Sequence, residues 1–153
     1  DAIDSNGTLT ISGGVIVAIG ASMPEGAFDC DQNTFTITGG TLVGIGGATS
    51  MPTASTCKQN VVILGSGTTG KTLALKAGGG TVAFAFTIPR NYSIMLLSSP
   101  AIVTGKTYSV YTGGTASADS VFHGLYLENL NYSGGSAGSS FTVSSCVTNL
   151  GAR

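Results

Sequence analysis

The sequence predicts an all-β fold in which stacked parallel coils form a short solenoid and antiparallel strands close its C-terminal end. Three observations predict it. First, Thr8-Leu-Thr-Ile-Ser-Gly-Gly-Val-Ile-Val-Ala-Ile-Gly20 returns as Thr34-Phe-Thr-Ile-Thr-Gly-Gly-Thr-Leu-Val-Gly-Ile-Gly46, 26 positions later, and so short a period is one winding of a coil. Second, only 8% of the 153 residues are charged, whereas 42% are hydrophobic and 24 are glycine. With a strong excess of Thr, Ser and Val, this composition favours strands and tight turns over disorder. Third, no segment carries a helical period.

The elements follow from the alignment of the two copies. Leu9 falls on Phe35, Ile11 on Ile37, Val17 on Val43 and Ile19 on Ile45, which in a parallel solenoid become interior ladders with rungs ~4.8 Å apart. Gly13-Gly14 and Gly39-Gly40 fall where each coil is expected to turn a corner. Both copies run on to a Met-Pro, at Met23-Pro24 and Met51-Pro52, and then to Cys30 and Cys57. A degenerate third coil is expected from Val61 to Leu64, Thr72 to Leu75 and Thr81 to Phe86. After Pro89 the period ends. Tyr92 to Leu97, Thr107 to Tyr111, Gly124 to Leu130 and Ser140 to Ser144 read as antiparallel strands between turn signals, closing an edge that would otherwise stay unpaired. The expected organisation is one domain over 1–153, with coils over 1–88 and capping strands over 89–153. Ile16 and Leu42 are out of phase with Val17 and Val43, so the face opposite the ladder is apolar too and requires a cover.

Several functions are disfavoured. Residues 1–57 carry a net charge of −5 and the remainder +4, the six Lys/Arg less Asp119 and Glu128. No basic stripe interleaves with aromatics, so nucleic acid is a poor partner. No apolar run approaches the ~20 residues of a membrane span. Asp1 falls inside a coil with no leader before it, so the sequence reads as a mature or trimmed chain. Gly65-Ser-Gly-Thr-Thr-Gly-Lys71-Thr72 matches the phosphate-loop pattern letter for letter. A phosphate loop must open a helix, however, and Leu73-Ala-Leu-Lys-Ala77 reaches Gly78-Gly-Gly80 after five residues, so a glycine-rich loop explains the match. The lone His123 has no nucleophile motif near it. Lys76 and Arg90 offer the basic side chain that a polysaccharide lyase would need, but nothing in the sequence places either beside an acidic group. The chain therefore reads as not an enzyme.

Three constellations remain. Ala2-Ile3-Asp4 and Ala27-Phe28-Asp29 occupy corresponding places ahead of the two copies, which brings Asp1, Asp4, Asn6, Asp29 and Asp31 toward one corner of adjacent coils. Carboxylates one rung apart repel unless a cation lies between them, and all-oxygen ligation suits calcium. The alternative is that these residues only build turns by bonding their own backbone. Cys30 and Cys57 stand at equivalent points of neighbouring coils, at a separation compatible with the ~5.5 Å of a disulfide. A bridge there leaves Cys146 unpaired, and an inward stack of reduced thiols is the alternative. Tyr108, Tyr111 and Tyr126, with Tyr92 and Tyr132, belong to the C-terminal part, where flat aromatic faces could meet sugar rings or simply fill strand cores.

Asp4-Ser-Asn-Gly-Thr-Leu-Thr-Ile-Ser-Gly-Gly14, Phe28-Asp29-Cys-Asp31 with Phe35-Thr-Ile-Thr-Gly-Gly40, and Ser98-Ser-Pro100 leading to Gly105-Lys-Thr-Tyr-Ser-Val-Tyr-Thr-Gly-Gly114 touch most of the chain. In these segments it resembles the bacterial carbohydrate-binding β-helix proteins associated with cellulose and pectate binding. The resemblance implies a right-handed parallel β-helix, secreted or held at the bacterial cell surface, with calcium near the Asp-rich turns and affinity for plant-type polysaccharide. The chain is shorter than such proteins usually are. The expected function is thus a non-catalytic extracellular module for acidic or cellulosic polysaccharide. The alternative is a subunit of an extracellular filament, self-associating through the ends of stacked solenoids.

Overall fold

The computed structural model describes residues 1–151. Among them there is no helix, and the strands in chain order are β1 (Ile3–Asp4), β2 (Leu9–Ile19), β3 (Phe28–Asp29), β4 (Phe35–Gly46), β5 (Val61–Leu64), β6 (Thr72–Ala77), β7 (Val82–Thr87), β8 (Ile94–Ser98), β9 (Thr107–Thr112), β10 (Thr115–Ser117), β11 (Ser120–Phe122), β12 (Leu125–Leu127), β13 (Asn131–Ser133), β14 (Ser136–Thr142) and β15 (Val147–Asn149). They fall into two compact units that interleave in sequence. The first contains Asp1–Ser66, Tyr92–Pro100 and the segment from Ser145; the second contains Gly67–Asn91 and Ala101–Ser144.

In the first unit the repeat sets the register. β2 and β4 run parallel with Leu9 on Phe35, Ile11 on Ile37, Val17 on Val43 and Ile19 on Ile45. β1 and β3 continue the same stacking, with Ile3 on Phe28 and Asp4 on Asp29. Val17 and Ile19 do not continue the interior ladder of Leu9 and Ile11: the phase switches at the two glycines, leaving Ile19 38% exposed, and Leu9, Ile11, Ile16 and Ala18 share the face that packs with Phe35, Ile37 and Leu42. That face joins Ile11, Phe28, Phe35, Ile37, Leu42, Ile63 and Leu96 in one core, with the Phe28 and Phe35 rings 5.5 Å apart. Gly14 and Gly40 have φ of 89° and 98°, a conformation glycine adopts without strain. The strands run through these glycines with a register irregularity rather than turning a corner.

The parallel stacking stops after two copies, and this overturns the expected β-helix. The five-stranded sheet has the order β15-β5-β8-β4-β2, and β8 lies antiparallel between β4 and β5. No third coil follows β4, and the fold is all-β with mixed and antiparallel sheets, not a solenoid. The segments expected to make a third coil separate instead. Val61–Leu64 joins the first unit's sheet, where β15 lies parallel to it, while β6 and β7 form an antiparallel hairpin of the second unit around Gly78-Gly79-Gly80. The strand foreseen over 92–97 is antiparallel, but it takes an interior place in the first sheet. Leu42, Val43 and Ile45 are all at most 1% exposed, so both faces of the second half of β4 are buried, which accounts for its two-sided apolar pattern.

The second unit is antiparallel throughout. Its main sheet has the order β11-β12-β7-β6-β9-β14, and β10 pairs with β13 beside it. His123 and Gly124, at φ 46° and 83°, form the two-residue connection between β11 and β12, the left-handed pair that matches strand twist in a tight hairpin.

The disulfide also differs from the expected Cys30–Cys57 bridge. Cys57 is bonded to Cys146, with α-carbons 6.1 Å apart, and Cys30 is a free, buried thiol. The β5–β15 ladder starts at Val61 on Val147, and Val61 N–H donates to the Cys146 carbonyl at 2.8 Å, so the chain before β15 passes beside residues 57–60. Cys30 sits instead within the core that contains Phe28 and Phe35.

Candidate functional site

The acidic corner is positioned by the β1–β3 ladder. Pairing Asp4 with Asp29 puts two carboxylates one strand apart, and Asp1 comes beside them because Gly26 N–H donates to its Oδ1 at 2.6 Å. One carboxylate oxygen from each of Asp1, Asp4 and Asp29 lies within 4.8 Å of the others. Oxygens bound to one calcium at 2.3–2.6 Å are at most about 5 Å apart, so these three groups fit within a single coordination sphere. Glu25 adds a fourth carboxylate, 2.8 Å from the Asp1 amino group. That hydrogen bond, reinforced by the charges of Glu25, Asp4 and Asp29, raises the pKa of the ammonium despite some opposing desolvation. Several negative groups thus face one positive group, the arrangement that a divalent cation relieves.

Asp31 is not among these three carboxylates. Asp29 Oδ1 accepts the Asp31 N–H at 2.9 Å and the Ser50 hydroxyl at 3.2 Å, while Asp31 adopts φ 53°. The turn-forming reading therefore describes one oxygen of Asp29. Asp31 lines the same cleft as Asp1 and Asp29, together with Pro24, Gly26, Phe28, Ala48, Thr49 and Ser50. Asn6 is exposed in the turn where Gly7 N–H donates to Ser5 Oγ. Ser50 and Glu25 were missed in the sequence. Ser50 ties the corner together by accepting the Cys30 N–H at 3.0 Å while donating to Asp29. A signal for it existed, since Ser22-Met23-Pro24 and Ser50-Met51-Pro52 are equivalent in the two copies.

The tyrosines differ in how far they are buried. Tyr108 is 2% exposed, accepts the Val103 N–H at 2.9 Å and donates to the Ala101 carbonyl at 3.2 Å, so its ring is unavailable to a sugar. Tyr111 and Tyr126 are half-buried against a small cluster of Ala74, Ala85 and Tyr132. Lys76 Nζ lies 5.0 Å from the Tyr111 ring centre, a cation–π distance, and the Tyr126 hydroxyl is 3.1 Å from Thr87 Oγ1. Burial pushes the Tyr92 hydroxyl up to about 12.

His123 is exposed at its hairpin turn, edge-on to Phe122 with ring centres 4.6 Å apart. Lys76 and Arg90 belong to the second unit and the acidic corner to the first. Thr72–Ala77, after the phosphate-loop match, is a strand rather than a helix. Among the described residues no helix is long and apolar enough to cross a membrane. What fold and site define together is a class: an all-β protein with an oxygen-rich acidic corner at the start of a parallel strand pair. No family model, curated protein or solved structure matches the chain.

Proposed function

We propose that the chain is a non-catalytic module that binds acidic polysaccharide through calcium held at the acidic corner. The convergence of Asp1, Asp4 and Asp29 within 4.8 Å is the observation that supports this reading. Three carboxylates supply part of a coordination shell that takes six to eight oxygens, and the remaining positions suit water and the carboxylates or hydroxyls of a uronic-acid chain. Asp31 extends the acidic rim of the cleft. A secreted or cell-surface location agrees with the Cys57–Cys146 bridge, since disulfides persist in oxidising compartments. The filament alternative, as head-to-tail stacked solenoids, loses its basis with the β-helix.

The test is co-sedimentation with insoluble polygalacturonate and with cellulose, with calcium or with a chelator. Calcium-dependent retention on polygalacturonate is expected, with metal affinity in the ~0.1–1 mM range of extracellular calcium modules. Equal retention with and without chelator, or none on either polymer, refutes the proposal.

A further inference from the structure

Ser22-Met23-Pro24 and Ser50-Met51-Pro52 recur in the two copies of the repeat, and both segments stand at the rim of the acidic cleft. Pro24 and Ser50 line that cleft, while Met23 and Met51 line a second cavity, which shares Ala48 and Thr49 with the first as a common wall. The second cavity holds about 340 Å³, at the lower end of the roughly 300–1,000 Å³ of small-ligand sites. Met23, Met51 and Ile94 supply its apolar surface, and Thr49, Ser93 and Asn149 its polar side chains. Among the described residues none that lines it is charged. Backbone contacts hold its walls. Gly47 N–H donates to the Ala21 carbonyl at 2.8 Å and Ser93 N–H to the Gly46 carbonyl at 3.0 Å. A β-carbon on Gly47 would lie 2.0 Å from the Met23 nitrogen, so the segment carrying Met23 rests directly on the wall. Met23 is 67% and Met51 41% exposed, and such flexible thioether side chains adapt to small apolar groups.

We propose that this cavity is a subsite of the calcium-bridged polysaccharide site, taking a methyl-esterified uronic-acid unit next to the unit whose carboxylate meets the calcium. The inference rests on the calcium reading of the acidic corner. A free carboxylate entering the cavity would meet no cation and would lose its water without compensation. Asp1, Asp29 and Asp31, across the wall of Ala48 and Thr49, repel it as well. Esterification removes that charge. The ester methyl then lies against Met23, Met51 and Ile94, while the ester carbonyl and ring hydroxyls meet Thr49, Ser93 and Asn149. Asn149 Oδ1 already accepts the Gly151 N–H at 3.1 Å, which leaves its amide N–H groups to donate. The Thr49 hydroxyl donates to the Ser50 carbonyl at 3.1 Å, which leaves its oxygen to accept. The cavity thus offers both halves of a hydrogen-bonding partner for a neutral sugar unit, beside an apolar place for its methyl group.

Nuclear magnetic resonance of the intact chain, isotopically labelled at the methyl carbons of Met23, Met51 and Met95, tests this. The ligands are two galacturonic-acid oligomers of equal length, one unesterified and one with alternate units methyl-esterified, each added with calcium. Both are expected to bind. The esterified oligomer should shift the Met23 and Met51 methyl signals and leave that of the fully buried Met95 in place. It should also bind about fourfold more tightly for each ester methyl covered. Met23→Gln with Met51→Gln, at two exposed positions, should bring the two affinities together, with circular dichroism melts checking the fold. Equal affinities in the native chain, Met23 and Met51 signals that stay in place, or a preference that survives in the folded double variant each overturn the subsite and leave the calcium bridge standing. Binding of neither oligomer in calcium overturns the bridge, and the subsite falls with it.

Discussion

The Cys57–Cys146 bridge closes a loop across 89 positions, and its removal is open to a quantitative test. In the chain-entropy account a cross-link removes conformations from the unfolded state in proportion to the logarithm of the loop length, which for a loop of this size gives about 4–5 kcal/mol at room temperature. Replacing Cys57 or Cys146 by serine is therefore expected to lower the thermal midpoint by about 10–15 °C for a chain of this size. The double replacement should cost no more than either single one, because both remove the same bond. Cys30→Ser acts by another route, putting a hydroxyl at a buried core position, and its effect should add to the others. Peptide mapping checks the pairing itself. Lys58 is the first cation, and no Lys or Arg lies between Lys106 and Arg153. Without reduction, trypsin should therefore release residues 1–58 linked to residues 107–153. A Cys30–Cys57 bridge would stay inside 1–58, so finding that peptide unlinked refutes the pairing. Midpoints unchanged on reduction refute the energetic argument.

Three further outcomes follow from single groups. A β-carbon on Gly44 would lie 2.3 Å from Cε2 of the Phe28 ring and 2.7 Å from the Ala27 β-carbon, so Gly44→Ala should cost about 1–3 kcal/mol in urea unfolding. Gly7→Ala, with nothing within 4 Å, should cost far less. Tyr92 keeps its proton to about pH 12 when folded and to about pH 10 when unfolded, so its contribution is fully present below pH 10 and is lost as pH rises toward 12. Urea titrations between those values should show stability falling by up to about 1.4 kcal/mol per pH unit, and Tyr92→Phe should flatten part of that slope. Asp4→Asn and Asp29→Asn should each weaken calcium binding at least tenfold by calorimetry, since each supplies one of the three converging carboxylates.

The parts of this structure that were legible are those in which one copy of the repeat contacts the other. The 26-residue alignment carries register directly, since Leu9 on Phe35 and Ile19 on Ile45 follow once like positions of the two copies are paired side by side. The acidic corner follows from the same alignment through Asp4 on Asp29. Its edges are less legible. Alignment would also stack Asn6 on Asp31, but the left-handed turn at Asp31, held by Asp29 Oδ1, ends the β1–β3 ladder first. The sulfur pairing was hidden because Cys57 and Cys146 are brought together by the β5–β15 ladder, for which the local sequence has no repeat or spacing signal.

The inference from two coils to a solenoid failed for a physical reason. Two copies specify how neighbours pair; they do not specify what takes the far edge of the second. That edge, the outer side of β4, accepts any strand whose faces tolerate burial. Val61-Val-Ile-Leu64 and Ile94-Met-Leu-Leu-Ser98 are both continuous apolar runs, and such runs carry no alternation to say which face points inward or which direction the strand takes. Antiparallel pairing is slightly more favourable per residue, and β8 makes it on both sides at once, with β4 and with β5. Val61, Val62, Ile63, Leu96 and Leu97 are each fully buried as a result. A third parallel coil would instead have needed a segment that repeats the Thr-Ile-Ser-Gly-Gly pattern, and residues 61–87 do not contain it. The direction of β8 is thus decided by competition among long-range pairings, while the direction of β2 is fixed by a sequence that repeats itself.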